Sequence, residues 1–484
     1  MKILFVLEQR GYLATYAGVV RALTSGGHAL RLAWPDEDVS VPEELAGCSG
    51  VTIEHWPKKR EDEWAPVVTT VRRAGDYLRY LTPHFQGATK LRARAFQKLL
   101  HSISRGNRIP ESGWSEIALG LTSQERDRLL TIVRLIEDAI PSDAGQEAFL
   151  NADRPDVVLV SPLIDLGSSQ TDVVKSAKRL GIPTGMVLYS WDNLSTKGGL
   201  HVQPERMFVW NERQRREAAD LHAYPIEQTI ATGAPRFDEF VSLLPATDRA
   251  AFCAPLGFDP GRPILMYLGS SKFVVTGSEL PFMRTWVDGI RRSPDETMKE
   301  CNILIRPHPD VKATDEEGPI EIIRWEGQAG RGWVTRPIDL PRVAVVRTHY
   351  RKPQAFYDAL HHSAAAVALN TSAALEAAIV GRPAFTILAG ADAADGQSTT
   401  LHFHYLLQQN GGCVRCASSL DEHRAQLAET LAGPDQSARL RAFAKEFVRP
   451  GGWDVPASRL LAEAIVREFA SAASLRPLTN AGGG

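Results

Sequence analysis

The sequence has 484 residues, of which 44% are hydrophobic, 8% aromatic and 23% charged. This length exceeds the roughly 250–300 residues at which a single hydrophobic core stops growing, so we expect two domains. The composition excludes a disordered or fibrous protein, and a net charge of −2 gives no reason to expect a nucleic-acid partner.

The cysteines and the hydrophobic runs indicate the compartment. Five scattered cysteines, an odd number, do not suit a disulfide framework and favour a reducing environment, so we expect a cytoplasmic protein. The apolar run at residues 1–7 meets charged residues at once and is typical of a first strand rather than a signal peptide. No run approaches the roughly 18 apolar residues of a spanning helix. Any membrane contact is therefore expected to be peripheral, at the inner face of the cell membrane.

The first elements along the chain are a strand, a helix and a second strand. Residues 3–7 and 29–33 are predicted strands, and a helical pattern between them ends near residue 25. Residues 61–143 are instead helical and charge-rich, which predicts an insertion into the first domain. Within it, basic and apolar residues are interleaved along 89–108. That pattern fits a solvated helix packed by one face, and it also fits a basic surface that meets an anionic lipid or a charged acceptor.

Two series of strands and helices make up the rest of the chain. Short apolar runs such as 155–160 lack polar alternation, which is typical of parallel strands covered on both faces. A second series begins near residue 263. We therefore predict an α/β protein with a Rossmann-like domain at 1–240, a second one at 255–455, and a closing helix at 456–472 that packs back on the first. The two domains are expected to face each other across a cleft.

The strongest local pattern lies at a helix start in the second domain. Segment 370–383 is a predicted strand end that runs into a helix and stops at glycine and proline. Thr371 or Ser372 can cap this helix, and the free N–H groups of its first turn attract an anion such as a diphosphate. Glu376 lies one turn further along, where its carboxylate suits ribose hydroxyls. An ordinary capped helix with a surface glutamate is the alternative.

Two other strand ends in the second domain carry polar residues. Arg306 and His308 follow an apolar strand and can donate to a phosphate or a base edge, although the flanking prolines also fit a plain crossover. The first strand of this domain is followed by a flexible loop that contains Gly269, Ser270 and Ser271. Ligands of open parallel sheets lie beyond the carboxyl ends of the strands, so these segments predict a nucleotide site. There, Arg306 and His308 would also offset charge on a leaving phosphate.

A glycine and serine loop, a His-Pro strand end and a Thr-Ser-x-x-x-Glu helix start, in this order, resemble the donor half of GT-B glycosyltransferases. The His-Pro and serine pair is similar to that of bacterial sialyltransferases, Kdo transferases and CDP-glycerol glycerophosphotransferases, which make surface polysaccharides and related polymers. The resemblance implies that His308, Thr371 and Ser372 hold the donor nucleotide, with Glu376 on its ribose. The acidic pair that sialyltransferases carry in the first domain has no clear match here.

A polar segment of the first domain follows a strand that should end at the cleft. Trp191 offers a plane for stacking on a sugar, and Asn193 and Lys197 offer hydrogen-bond donors. Asp192 is our candidate for the general base that takes the proton of an acceptor hydroxyl. A turn-forming role is the alternative for Asp192.

The loop after the first strand is expected at the same cleft. Arg10, with Gly11 and Tyr12 beside it, is predicted to position the acceptor. Glu8 is the rival candidate for the general base. These side chains would serve the acceptor, whereas the second domain would hold the donor.

Other patterns limit the chemistry. Cys413 and Cys416 form a single CxxC, without the second half of a zinc ribbon, and His402 and His404 alternate as packing residues often do. The sequence contains neither a P-loop nor the Asp-x-Asp metal signature of the other main glycosyltransferase fold. We expect no metal site and no cofactor beside the donor itself.

We therefore predict an enzyme that transfers a sugar from a nucleotide-activated donor to a glycan or lipid-linked acceptor. Phosphoglycerol transfer and 2-epimerisation of a sugar nucleotide are alternatives within the same fold. A non-catalytic module that binds a sugar nucleotide or a glycan is the alternative from another class.

Overall fold

The computed structural model describes residues 1–104, 118–270, 280–308, 321–322, 342–347, 353–369, 372–388 and 401–474. The chain divides into two compact units. The first unit comprises Met1–Asp238 together with Phe447–Gly484, and the second comprises Glu239–Glu446.

The first unit is built on a parallel sheet. Within the described residues its seven strands lie in the order β3-β2-β1-β4-β5-β6-β7, and all neighbouring pairs are parallel. This is the strand order of the Rossmann fold with one strand added at the edge. The strands are β1 (Lys2–Leu7), β2 (Ala29–Trp34), β3 (Val51–His55), β4 (Val157–Ser161), β5 (Thr184–Val187), β6 (Arg206–Val209) and β7 (Thr229–Ala231).

The second unit contains the same six-strand Rossmann order, but its extra strand lies at the opposite edge of the sheet. Its described strands run β10-β11-β9-β8-β12-β13-β14, and all pairs are parallel except that of the edge strand β10 with β11. They are β8 (Ile264–Leu268), β9 (Asn302–Arg306), β10 (Glu321–Ile322), β11 (Val343–Arg347), β12 (Ala365–Ala368), β13 (Ala384–Ile387) and β14 (Val414–Ala417).

Helices connect the strands in both units. Those of the first unit are α1 (Leu13–Ser25), α2 (Ala65–Arg79), α3 (Thr89–Ser104), α4 (Ser123–Ala139), α5 (Ala144–Asn151), α6 (Gln170–Arg179), α7 (Asn193–Thr196) and α8 (Glu212–His222). Those that follow are α9 (Asp238–Ser242), α10 (Arg249–Cys253), α11 (Leu280–Arg291), α12 (Glu296–Lys299), α13 (Pro353–His362), α14 (Ala373–Val380), α15 (Leu401–His404), α16 (Leu420–Ala432), α17 (Ser437–Val448) and α18 (Ala457–Ser474).

Both faces of the first sheet are buried, because its strands alternate between two cores. Ile3, Phe5 and Leu7 of β1 lie in one hydrophobic cluster, and Leu4 and Val6 lie in the other. Side chains of a strand point to opposite faces in turn, so a strand covered on both faces must be apolar throughout. This explains the uninterrupted apolar run at the start of the sequence.

The closing helix α18 belongs to the first unit. Leu461 and Ile465 join the cluster formed around α1 and β1. The carboxylate of Asp238 fixes the start of the helix, because it accepts hydrogen bonds from the N–H groups of Ala457 at 2.9 Å and Ser458 at 2.8 Å. These bonds satisfy donors that a helix N-terminus otherwise leaves unpaired.

The predicted insertion contains α2, α3 and α4 where the structure describes it. Leu91, Phe96 and Leu100 of α3 are buried, and the rings of Phe96 and Tyr77 of α2 have centroids 4.9 Å apart. The predicted packing of this helix by one face is confirmed. Contact with an anionic lipid stays a prediction, and residues 105–108 lie outside the described residues. In the described part of the chain, no helix is both long and apolar enough to cross a membrane.

Candidate functional site

Each sheet reverses its winding direction once, beside its first strand. In the first sheet the chain proceeds from β1 outward to β3 and then returns to start β4 on the other side of β1. In the second sheet β9 and β11 lie on one side of β8, and β12 starts on the other. Open α/β sheets bind ligands at such switch points, beyond the carboxyl ends of the strands. Each unit therefore has one candidate site.

The residues that follow β1, β4 and β5 form what we call the first-unit site: Glu8, Tyr12, Asp165, Tyr189 and Asp192. The rings of Tyr12 and Tyr189 are stacked, with centroids 3.7 Å apart and planes within 9°. Burial raises the pKa of Tyr12, and the charges of Tyr189 and of the three carboxylates raise it further. The site is therefore acidic, with a pair of stacked rings among its carboxylates.

Burial changes the basicity of Glu8. Its side chain is 19% exposed and forms an ion pair with Lys58. Burial raises the pKa of Glu8, the hydrogen bond and charge of Lys58 oppose this rise, and the charge of Asp165 adds to it. A carboxylate with a raised pKa is a stronger base, which suits proton abstraction near neutral pH.

Asp192 and Asn193 shape the loop that follows β5. The Asp192 carboxylate accepts a hydrogen bond from Thr196 Oγ1 at 2.9 Å, and its backbone carbonyl accepts one from the Thr196 N–H, also at 2.9 Å. Asn193 is buried, and its Oδ1 accepts the N–H groups of Tyr189 at 3.1 Å and Ser190 at 2.8 Å. Both residues thus bind the loop itself. Their roles toward a substrate stay predictions.

The structure places Trp191 in the core, where the sequence predicted an open stacking plane. The side chain is 5% exposed, and its ring meets that of Phe447 edge-on at 6.4 Å. An indole buried in this way has its faces against protein, so this position presents no open ring to a sugar. Lys197, the other predicted donor of this segment, is half-buried.

Only one of the three residues singled out after Glu8 joins the first-unit site. The Arg10 guanidinium is ion-paired with Asp38 and donates to Ser40 Oγ at 3.2 Å. Gly11 is exposed, and a Cβ there would meet no atom within 4 Å. Arg10 and Gly11 as acceptor-binding residues stay predictions, whereas Tyr12 is part of the stack described above.

Sequence reasoning missed Lys58, Asp165 and Tyr189. Asp165 carried a usable signal, because it follows the apolar strand β4 as Glu8 follows β1. Lys58 also follows a strand, β3, but the Glu54 and His55 of that strand interrupt the apolar run that marked the others, and Glu8 lies 50 residues away. Tyr189 is the first residue of the polar segment that contains Asp192, and the signal in that segment was its polar residues rather than this ring.

Three neighbouring strands of the second sheet end at one level. Leu268 of β8 is in register with Arg306 of β9 and with Ala368 of β12. Neighbouring strands lie roughly 4.8 Å apart, so the segments that follow them are adjacent. The three motifs singled out from the sequence therefore lie side by side. We call their described residues the second-unit site: Gly269, Ser270, Arg306, His308, Ser372 and Glu376.

Gly269 packs directly against the segment after β9. Its N–H donates to the carbonyl of Arg306 at 2.8 Å, and a Cβ at Gly269 would lie 3.0 Å from the backbone nitrogen of His308. Glycine is thus what lets the two segments approach each other. Arg306 is 8% exposed, and its guanidinium lies 3.9 Å from the ring centroid of Phe356. This cation–π contact orients the guanidinium.

The helix start of the second-unit site differs in one detail from the prediction. Ser372 precedes α14 with helical backbone angles, φ −59° and ψ −16°, and its side chain forms no capping hydrogen bond with the described residues. A capping side chain needs an extended backbone, so Ser372 is not the cap. Thr371, the other candidate, lies outside the described residues, as does Ser271. Glu376 is half-buried in the first turn of α14.

The remaining histidine and cysteine patterns lead to no site. His402 is buried and His404 is exposed, so the pair does not share an environment. Cys413 is buried and Cys416 is half-buried, and among the described residues neither forms a disulfide bond. Among the residues that the structure describes, no group of three or more His, Cys, Asp or Glu could hold a metal ion.

Comparison with known proteins gives similarities of fold. No family model and no curated protein sequence matches the chain. The S. aureus MnaA–UDP co-structure is similar over 100% of both chains, with 12% identity and a TM-score of 0.50. The glycotransferase of kitacinnamycin is 15% identical, over 97% of this chain and 99% of that one, with a TM-score of 0.47. The UDP-GlcNAc 2-epimerase from Neisseria meningitidis bound to UDP-GlcNAc is 12% identical, over 96% and 100%, with a TM-score of 0.48.

Strand order and the full-length likeness to MnaA define the fold. The chain consists of two Rossmann-like α/β domains, as in the GT-B class, which confirms the predicted fold class. Identity of 12% shows the fold alone, so the reaction has to be argued from the two sites.

Proposed function

We propose that this chain is an enzyme that transfers a sugar from a nucleotide-activated donor to an acceptor hydroxyl. One observation carries the proposal. The second-unit site gathers an arginine, a histidine and a helix N-terminus at the carboxyl ends of adjacent strands, next to a switch point. Backbone N–H groups and cationic donors arranged in this way suit the phosphates of a nucleotide. The similar MnaA structure is a complex with UDP, a nucleotide of this kind.

Each residue of the second-unit site has a role in this proposal. Arg306 and His308 donate to phosphate oxygens and offset the negative charge that develops on the leaving group. The first turn of α14 binds the same phosphates, and Glu376 accepts hydrogen bonds from the ribose hydroxyls. Gly269 lets the segment that carries His308 take its position, because a Cβ at residue 269 would lie 3.0 Å from the backbone nitrogen of His308.

The first-unit site supplies the base. The acceptor hydroxyl gives its proton to Glu8 while its oxygen forms a bond to the anomeric carbon. The bond from that carbon to the phosphate oxygen breaks, and the nucleotide leaves with the electron pair. We favour Glu8 over Asp192 because burial raises the pKa of Glu8, whereas the Asp192 carboxylate is bound to Thr196. A glycan or lipid-linked acceptor, and contact of residues 89–108 with a lipid surface, belong to the same proposal.

A second candidate is 2-epimerisation of a sugar nucleotide. The observation that favours it is the presence of three carboxylates in the first-unit site, Glu8, Asp165 and Asp192. The charges of all three raise the pKa of Tyr12. Inversion at a carbon next to the anomeric centre requires removal of a proton from one face and its return to the other. Two acid–base groups would serve that reaction, whereas sugar transfer to a hydroxyl needs one.

Nucleotide binding tests the proposal first. We expect one of CMP, CDP, UDP, GDP, ADP and dTDP to raise the melting temperature and to give a calorimetric binding isotherm, since a ligand stabilises the state it binds. His308→Ala should weaken that binding by roughly ten- to a hundredfold, because a charge-assisted hydrogen bond contributes about 1.5–3 kcal/mol. His404→Ala, an exposed histidine of the same unit, is the matched control.

Turnover then separates the two candidates. With the sugar nucleotide of the preferred base, a transferase releases nucleotide only when an acceptor is added. An epimerase run in D2O incorporates deuterium at C2 without any acceptor. If no nucleotide binds at millimolar concentration, or if both histidine variants bind as the wild type does, the second-unit site is not a donor site.

A further inference from the structure

Two loops carry carboxylates of the first-unit site. The β4 loop (residues 162–169) contains Asp165, and the β5 loop (residues 188–200) contains Asp192. Their positions determine where both carboxylates lie. Neither loop is long enough to form a hydrophobic core of its own. The side chains that bind and pack against each loop therefore determine its conformation.

Asp76 of α2 binds both loops at once. Its side chain is 0% exposed. The carboxylate accepts a hydrogen bond from the N–H of Gly167, in the β4 loop, at 2.7 Å and another from the N–H of Gly199, in the β5 loop, at 2.5 Å. His201 Nε2 lies 3.1 Å from the same carboxylate. An ionised acceptor makes stronger hydrogen bonds than a neutral one, so one buried side chain ties the two loops together.

Other side chains of the insertion hold the β5 loop by its backbone carbonyls. Arg79 and Tyr80, at the end of α2, and Arg94 of α3 are the donors. Arg79 donates to Leu194 and, at 3.1 Å, to Lys197; Tyr80 donates to Lys197 at 2.7 Å; Arg94 donates to Thr196. Bonds to backbone atoms fix the path of the loop itself.

The two loops also touch each other at a glycine. A Cβ on Gly198 would lie 2.2 Å from the carbonyl oxygen of Asp165 and 2.8 Å from Oδ1 of Asp76. No side chain fits in that space. The backbone that carries Asp165, the β5 loop and the Asp76 carboxylate are therefore in direct contact.

We propose that the helices α2 and α3 of the insertion are a clamp that fixes the β4 and β5 loops relative to each other, with Asp76 as the positioning residue. The clamp would hold in place the acidic groups that act on the acceptor. This part of the inference rests on the proposed function. Reacting groups must be held closely to the productive geometry, and small displacements cost large factors in rate. A helix that binds both loops from behind meets this requirement without touching the substrate.

Asp76→Asn is the test variant. The asparagine amide has one acceptor oxygen where the carboxylate has two, and its NH2 group would face one of the two loop N–H groups, donor against donor. We expect faster hydrogen exchange in peptides that cover residues 162–169 and 188–200. We also expect kcat to fall about ten- to a hundredfold, since a displacement of reacting groups by about 1 Å can cost a factor of this size in rate. The KM for the donor and the affinity for its nucleotide should stay within about twofold.

Thr122→Ala is the matched control. It removes the capping box that Thr122 forms with Glu125 at the start of α4, so it weakens a helix start of the insertion and leaves the loop contacts of α2 and α3 in place. Thr122→Ala should leave exchange in both loops and kcat as in the wild type. Equal effects of the two variants, or an Asp76→Asn exchange pattern spread evenly over the first unit, would overturn the clamp. If the wild type itself has no turnover, the proposed function fails, and the exchange data still decide whether Asp76 holds the loops.

Discussion

Both units place their sites at the switch point of a Rossmann strand order, and the side chains at the two sites have opposite chemistry. The first-unit site has three carboxylates around two stacked tyrosines, whereas the second-unit site has an arginine, a histidine and a helix N-terminus. Strand order alone determines where each site lies. The side chains that follow the strands determine which ligand each site suits.

The two sites also differ in what holds them. The second-unit site depends on strand register and on the close approach at Gly269, both of which are built into the sheet. The first-unit site depends on loops that are held by Asp76 and Arg79 of the insertion. The same fold can thus form a site from its own strand ends, or it can use an added segment to fix the loops.

Removal of the proposed base should have the largest effect on turnover and should leave nucleotide binding by the second unit unchanged. We expect Glu8→Gln to lower kcat by roughly 10²–10⁴-fold, the usual contribution of a general base, with nucleotide affinity unaltered. Steady-state kinetics and calorimetry on the same preparation check both points. Asp192→Asn and Asp165→Asn are the comparisons. A larger loss in Asp192→Asn would assign the base to Asp192, and a loss of nucleotide affinity in Glu8→Gln would contradict the division of roles.

The next effect concerns stability of the insertion. Arg72 of α2 is 1% exposed, and its guanidinium is ion-paired with Glu137 of α4 at 2.9 Å and with Asp172 of α6 at 2.7 Å. Arg72→Ala leaves two buried carboxylates without this cation, which should cost about 3–5 kcal/mol of unfolding free energy. Urea unfolding measures the loss. Arg134→Ala, an exposed arginine on α4, should stay within about 0.5 kcal/mol of the wild type. Similar losses in both variants would show that the buried pairs are unimportant.

The smallest effect is a shift in pH dependence. The base must be deprotonated, so the rate should fall as pH falls through the pKa of Glu8, which burial raises and Lys58 lowers. Lys58→Met removes the lowering influence, so the acid limb of kcat/KM should move to higher pH. Lys2→Met, which removes an exposed lysine paired with Asp153, should leave the limb in place. An acid limb that does not respond to Lys58→Met would exclude Glu8 as the titrating base.

Much of the fold could be predicted because its signals are local. Apolar runs predicted the buried parallel strands, and their alternation with helical patterns predicted two α/β halves with a helical insertion between β3 and β4. The second-unit motifs were also visible, because each consists of a few residues directly after a strand. Register then placed them side by side, as parallel strands that end at one level must.

The first-unit site was harder to predict because its members come together only in the folded chain. Lys58 reaches Glu8 across 50 residues, and Asp76 reaches Gly199 across 123. Trp191 looked like a binding residue from its polar neighbours, and the structure buried its ring against Phe447, from the far end of the chain.

The sequence by itself thus determined the two α/β halves and the strand-end motifs of the second unit, since strand patterning and helix starts depend on neighbouring residues. Only the tertiary structure decided which carboxylates meet in the first unit, which cation opposes the rise in the pKa of Glu8, and which helix holds the loops. Those contacts join segments that are remote in sequence, and their geometry exists only after the sheet and the insertion have packed together.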